Sequence, residues 1–282
     1  MTYREACELV TLLRRRFLIT TLTRATILIV ISLSVFAAWM SVESEMYRRV
    51  FWGSASFAGL AWITLMFFSI RQARVSNQAS AFIASGRLDL AEERLRGAIQ
   101  HFSLFRNGLL LACHNLAVVA HGRQCYPAAA ELCEGVLSLH KGLHKGIGRT
   151  CRILLADCRL FLGDTASALR AIEPISLDDP VLNLSEQLLF LPIELRCRIA
   201  RADYAGATAN LSWKLRRAEL LDSPKAALVH ALLAEACRRT GQPETAAFLQ
   251  GRAELYHDLD DLEDQYGKLR NSTTDINSTD NN

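Results

Sequence analysis

Two histidines four residues apart, His140 and His144, are the first pair in this sequence whose spacing could do chemistry. On a helix, positions i and i+4 share a face, and two imidazoles there could hold a metal ion. The surrounding stretch, His140-Lys-Gly-Leu-His144-Lys-Gly-Ile-Gly148-Arg149, works against that: Gly142, Gly146 and Gly148 disfavour a helix, and no third ligand lies nearby. The same glycines and lysines could cradle a phosphate, but the G-x4-G-K-[ST] spacing is absent. A solvated loop is the better reading. Elsewhere there is no GxSxG, no HExxH, and no GxGxxG after a strand. Of the eight cysteines, Cys113, Cys133, Cys158, Cys197 and Cys237 fall inside predicted helices, and no CxxC occurs. A thiol so placed behaves as a small hydrophobe, which suits a reducing compartment. The expectation is a protein with no catalytic residue, no metal and no cofactor, hence not an enzyme.

The elements that would position any site are set by a repeat. Alanines recur at Ala91, Ala129, Ala168, Ala207 and Ala246, in steps of 38, 39, 39 and 39 residues. Five residues before each stands Gly86, Gln124, Gly163, Ala202 or Gly241. Self-similarity at a period of tens of residues is the signature of a solenoid of helix pairs. The pairs read as Ala73–Ser85 with Leu88–His101, Gly108–Ala120 with Tyr126–Leu139, Arg149–Leu162 with Thr165–Ile172, Ser185–Arg201 with Tyr204–Leu220, and Ser223–Thr240 with Pro243 onward. Pro192 should start or kink a helix. Leu255, Leu259, Leu262, Tyr266 and Leu269, spaced 4, 3, 4, 3 among acidic residues, predict a last helix that caps the array. The same seam leaves a homo-oligomer open. Residues 270–282 are a polar tail expected to be disordered.

Ahead of the repeats the composition changes. Residues 4–16 read as a short helix ending in the basic cluster Arg14-Arg15-Arg16, so residues 1–16 form a basic N-terminal segment. Two apolar runs follow, about 17–40 and 50–70, each near the length that crosses a bilayer core, with only Ser41–Arg49 between them. They predict a transmembrane helical hairpin, so that residues 17–70 meet the lipid bilayer. Trp39 and Trp52 would flank the short loop at one interface. More arginines lie outside the hairpin than in its loop, which places both termini and the repeat domain in the cytoplasm. Beyond residue 70, basic and acidic residues balance, so the repeats carry no electrostatic footprint for nucleic acid.

The repeats resemble a tetratricopeptide repeat (TPR) array. The resemblance rests on Leu155-Ala156, Gly163 and Ala168-x3-Ile172, on Leu233-Ala234, Gly241 and Ala246, on Leu116-Ala117 with Ala129-x3-Cys133, on Gly86, Leu88, Ala91, Leu95 and Ala98, and on Tyr204, Ala207 and Leu211. It covers about residues 73–253. The period exceeds the family's, and the large aromatic of the first helix is mostly missing. The resemblance implies an all-α fold, with residues 73–269 as a TPR-like solenoid of five pairs whose concave face binds a protein or peptide. Family spacing then puts His114, Asp157, Arg196 and Glu235 on that face, with Arg238 beside them. The Lys/Asn set that clamps a C-terminal carboxylate is absent. Together with the hairpin, the layout also resembles the HemY family of membrane proteins in architecture alone. The function implied is a membrane-anchored scaffold or adaptor; an accessory or assembly subunit of a membrane enzyme or biosynthetic complex is the alternative.

Overall fold

The computed structural model describes residues 1–40, 45–101, 103, 105–139, 146–175, 182–258 and 261. Among these the regular structure is all helical, with no strand. Two compact units are formed, Met1–Cys151 and Arg152–Asn282. The histidine pair at 140 and 144, the proposed capping seam beyond Asp258 (Asp261 apart) and the tail lie outside the described residues.

Unit 1 contains α1 (Tyr3–Met40), α2 (Glu45–Ala84), α3 (Leu88–Gln100), α4 (Arg106–Gly122), α5 (Tyr126–Leu139) and the start of α6 (Ile147–Phe161). Two boundaries differ from expectation. The short basic helix and the first apolar run are one element, α1, because no Gly or Pro interrupts residues 3–40. The second apolar run likewise continues into the first repeat helix as α2. Early α1 residues belong to the fold of the unit. Ala6, Leu9, Val10 and Leu13, at i, i+3, i+4 and i+7, are all buried, and α1 packs on α5. Val10 lies over Gly135 of α5 so closely that a Cβ there would overlap its methyl groups. Polar ties fix the same helix: Arg96 meets Glu5 at 2.7 Å, Arg16 donates to Gln100 O at 2.6 Å, and Thr20 Oγ1 donates to Ser103 O at 3.0 Å.

Past Thr21 the surface of α1 becomes apolar and open, with Leu22, Leu28, Ile29, Leu33, Val35 and Phe36 exposed. Among the described residues, α1 is the one helix long and apolar enough to cross a membrane, and almost none of its apolar window is buried. On α2, Trp52, Phe57, Leu60, Ile63 and Phe67 are exposed as well.

Unit 2 takes the rest of α6, then α7 (Thr165–Ile172), α8 (Leu184–Ala200), α9 (Tyr204–Thr208), α10 (Leu211–Ala218), α11 (Ser223–Arg239) and α12 (Pro243–Tyr256). The predicted helix 204–220 is two helices. Asn210 sits in the left-handed region at φ 55° and breaks it, a conformation Asn tolerates better than most side chains. The buried ammonium of Lys214 then donates to Ala207 O at 2.7 Å and Gly206 O at 3.0 Å, satisfying carbonyls that the shortened α9 leaves open. Pro192 lies buried inside α8, which runs on through it. A capping box of Asn183 and Glu186 starts that helix. Helix α12 stops at Tyr256, where His257 turns extended.

The sequence repeat has a local structural counterpart. Gly86, Gln124, Gly163, Ala202 and Gly241 all adopt positive φ, between 56° and 76°. Each closes its helix with the same two bonds: its own N–H reaches the carbonyl three residues back, and the next N–H reaches five back, as in Arg87 to Phe82 and Asp164 to Arg159. This is the Schellman arrangement, which satisfies carbonyls the helix end would otherwise orphan. The five repeat alanines are all buried just inside the helix that follows.

Candidate functional site

Asp157 of α6 and Arg196 of α8 are brought together. Arg196 Nη1 donates to Asp157 Oδ1 at 2.9 Å, and the guanidinium lies 4.8 Å from the centre of the Phe161 ring. Arg196 is buried, with 8 % of its side chain exposed, so the pair ties two helices where water competes poorly. Glu235 and Arg238 also meet, on one face of α11, and Arg239 joins them at 2.9 Å. His114, in unit 1, turns to α6, with its Nδ1 3.2 Å from the buried Cys151 sulfur. The five residues chosen from family spacing are thus engaged with neighbours in the fold.

One concavity of unit 2 lies between α7 and α8 and has a volume of about 490 Å³. Leu169, Ile172, Ile175 and Phe190 supply apolar wall, and Glu194 and Arg198 supply charge. Arg198 bridges two carboxylates: it lies 2.8 Å from Glu194 Oε1 and 2.8 Å from Asp203 Oδ2. Asp203 in turn accepts from Gly206 N at 2.9 Å and starts α9. Gly206 leaves room for this fork, since a Cβ would run into both Arg198 and Asp203. The second oxygen of Glu194, Oε2, is buried without a hydrogen-bond partner. A buried carboxylate oxygen left so is costly and calls for a donor. Apolar walls beside an acceptor suit an aliphatic or aromatic side chain that carries an N–H or ammonium group.

Nucleophilic chemistry finds little support there. Cys197 lines the cavity, but burial pushes its thiol up to about 11, so it stays protonated. Burial also raises Cys158 to about 12 and lifts Cys113 further. Among the described residues no three His, Cys, Asp or Glu side chains form a group fit to hold a metal ion.

Sequence reasoning missed the cavity because its lining comes from α7, α8 and the turns beside them, with no shared spacing. One local signal existed: Glu194 and Arg198 stand at i and i+4 on a helix face that otherwise carries Phe190 and Cys197. No protein-family model, no curated protein and no solved structure matches the chain significantly.

Proposed function

We propose that this protein is a membrane-anchored, TPR-like helical scaffold that holds a protein or peptide partner near the bilayer. The hairpin of α1 and α2 would cross the membrane twice, at about 17–40 and 50–70, with both termini and the repeats in the cytoplasm. The observation that carries the binding half is the α7–α8 cavity, with apolar walls and a buried Glu194 oxygen lacking a donor. Support for the anchoring half is the exposure of large apolar side chains along both α1 and α2, since exposed apolar patches mark membrane or partner sites. Tethering raises the effective concentration of a bound segment at the membrane without any new contact.

The test is co-purification of the full-length chain in mild detergent, comparing wild type with Leu169→Arg and Glu194→Leu. Removing residues 1–70 would be a poor control, because Ala6, Leu9, Val10 and Leu13 complete the core of unit 1. A soluble partner that binds wild type and is lost from both variants, with helical circular dichroism unchanged, supports the scaffold. Partners that bind all three proteins alike count against it. The accessory-subunit reading draws on Gly53 and Gly59 of α2, where an added Cβ meets open space and another span could approach closely. It takes over if the partners are membrane proteins lost on Gly53→Leu or Gly59→Leu.

A further inference from the structure

Four arginines sit at the neck of unit 1, where α1 and α2 pass from the packed helices to the exposed apolar stretches. Arg14 and Arg15 stand just before Phe17 on α1, and Arg71 and Arg74 just after Ile70 on α2. All four are exposed. None has an acidic partner among the described residues, and no Asp or Glu occurs from Leu9 to Met40 on α1 or from Met46 to Ala84 on α2. The nearby acids are committed elsewhere: Glu5 and Glu92 to Arg96, Asp89 to Arg123, and Glu8 to Arg4, while Glu93 of α3 pairs with none of the four. Arg16, between them in sequence, is used to hold the α3 end at Gln100.

A guanidinium left in water here gains nothing for the fold, so the placement points to a ligand outside the chain. We infer that Arg14, Arg15, Arg71 and Arg74 form a collar that binds the headgroups of anionic phospholipids in the leaflet facing unit 1. The inference rests on the membrane reading above and adds to it a preference for lipid charge. Two features favour a lipid phosphate over an acidic protein segment. The arginines approach from two helices at the border of apolar surface, where phosphates lie in a bilayer. A guanidinium also grips a phosphate with paired N–H donors. Arg24 stands nine residues beyond Arg15 on α1 and is exposed too, its stem able to lie along the apolar helix.

The experiment uses the full chain in nanodiscs of phosphatidylcholine with a minority of phosphatidylglycerol. Native mass spectrometry then counts the lipids that stay bound after the protein is released. Wild type is expected to enrich phosphatidylglycerol several-fold over its bulk share, and added salt during release should weaken that. The variant with Arg14, Arg15, Arg71 and Arg74 all changed to Gln should fall back to the bulk share. Each arginine near an anionic surface contributes about fivefold in binding, so the single changes should show graded losses. Equal enrichment by wild type and the quadruple variant would overturn the collar. So would absence of enrichment by a wild type that does enter nanodiscs, and the membrane reading would survive that result. A chain that stays soluble and never enters the discs would remove both.

Discussion

In unit 2 the guanidinium of Arg196 is shut between Asp157 and the Phe161 ring, and Arg198 is held by Glu194 and Asp203. In unit 1, Arg14, Arg15, Arg71 and Arg74 reach solvent with no carboxylate beside them. The residue type is the same and the physics opposite. A buried arginine must be paired, and its loss or its partner's loss is felt by the fold. An exposed, unpaired arginine contributes almost nothing to stability and is free to act on something else. The difference separates arginines that build the molecule from arginines that face outward.

The largest effect should come from breaking one half of the buried pair. Asp157→Ala takes the carboxylate at 2.9 Å away from the buried Arg196 and is expected to cost about 3–5 kcal/mol, read as a fall in the denaturant midpoint of the detergent-solubilised chain. Replacing both, as Asp157→Leu with Arg196→Met, should recover most of that loss. Arg14→Gln or Arg71→Gln should change the stability by no more than about 0.5 kcal/mol. A large loss from either would break the comparison.

Next in size is Leu13→Ala, expected to cost about 2–5 kcal/mol because Leu13 is fully buried where α1 joins unit 1. If that change is silent, α1 does not belong to the core of the unit, and the neck lies elsewhere. Smaller effects are expected at the repeated turns. Gly163→Ala should destabilise by about 1 kcal/mol, since its φ of 76° disfavours a Cβ. Ala202→Gly, at φ 56°, should stabilise by up to about 1 kcal/mol. Thermal midpoints of the two variants should move in opposite directions.

The smallest is a pH effect in unit 2. Burial lowers the affinity of His230 for a proton below its ordinary value of 6.5, while its Nδ1 stays 2.8 Å from Ala226 O. The folded chain therefore resists protonation there. Its stability should be full above pH 6.5 and decline as the pH falls through the depressed value. Denaturation midpoints across that range, compared with His230→Gln, should show a shallower decline in the variant.

The turns were legible from single residues because a left-handed helix end is a local event. Gly86, Gln124, Gly163, Ala202 and Gly241 could be picked by spacing alone, even where the residue is not glycine. The helix from Thr165 to Ile172 was bounded the same way, with Asp164 capping it through Ser167 N. What escaped was set by distant partners. The apolar face Ala6, Leu9, Val10 and Leu13 was visible in the sequence, yet the seat of Val10 is at Gly135, far along the chain. The break at Asn210 depends on a lysine able to serve the freed carbonyls. The α7–α8 cavity and the Asp157–Arg196 pair need helices that meet only after folding.

Because neither α1 nor α2 breaks at the neck, the exposed apolar stretches and the packed part of unit 1 are two ends of the same rods. On the membrane reading proposed above, such rods would act as a lever. A thinner membrane that tilts the hairpin would swing α3, α4 and α5 through the same angle, with no linker to absorb the motion. Lipid thickness would then be written directly into the bearing of those three helices.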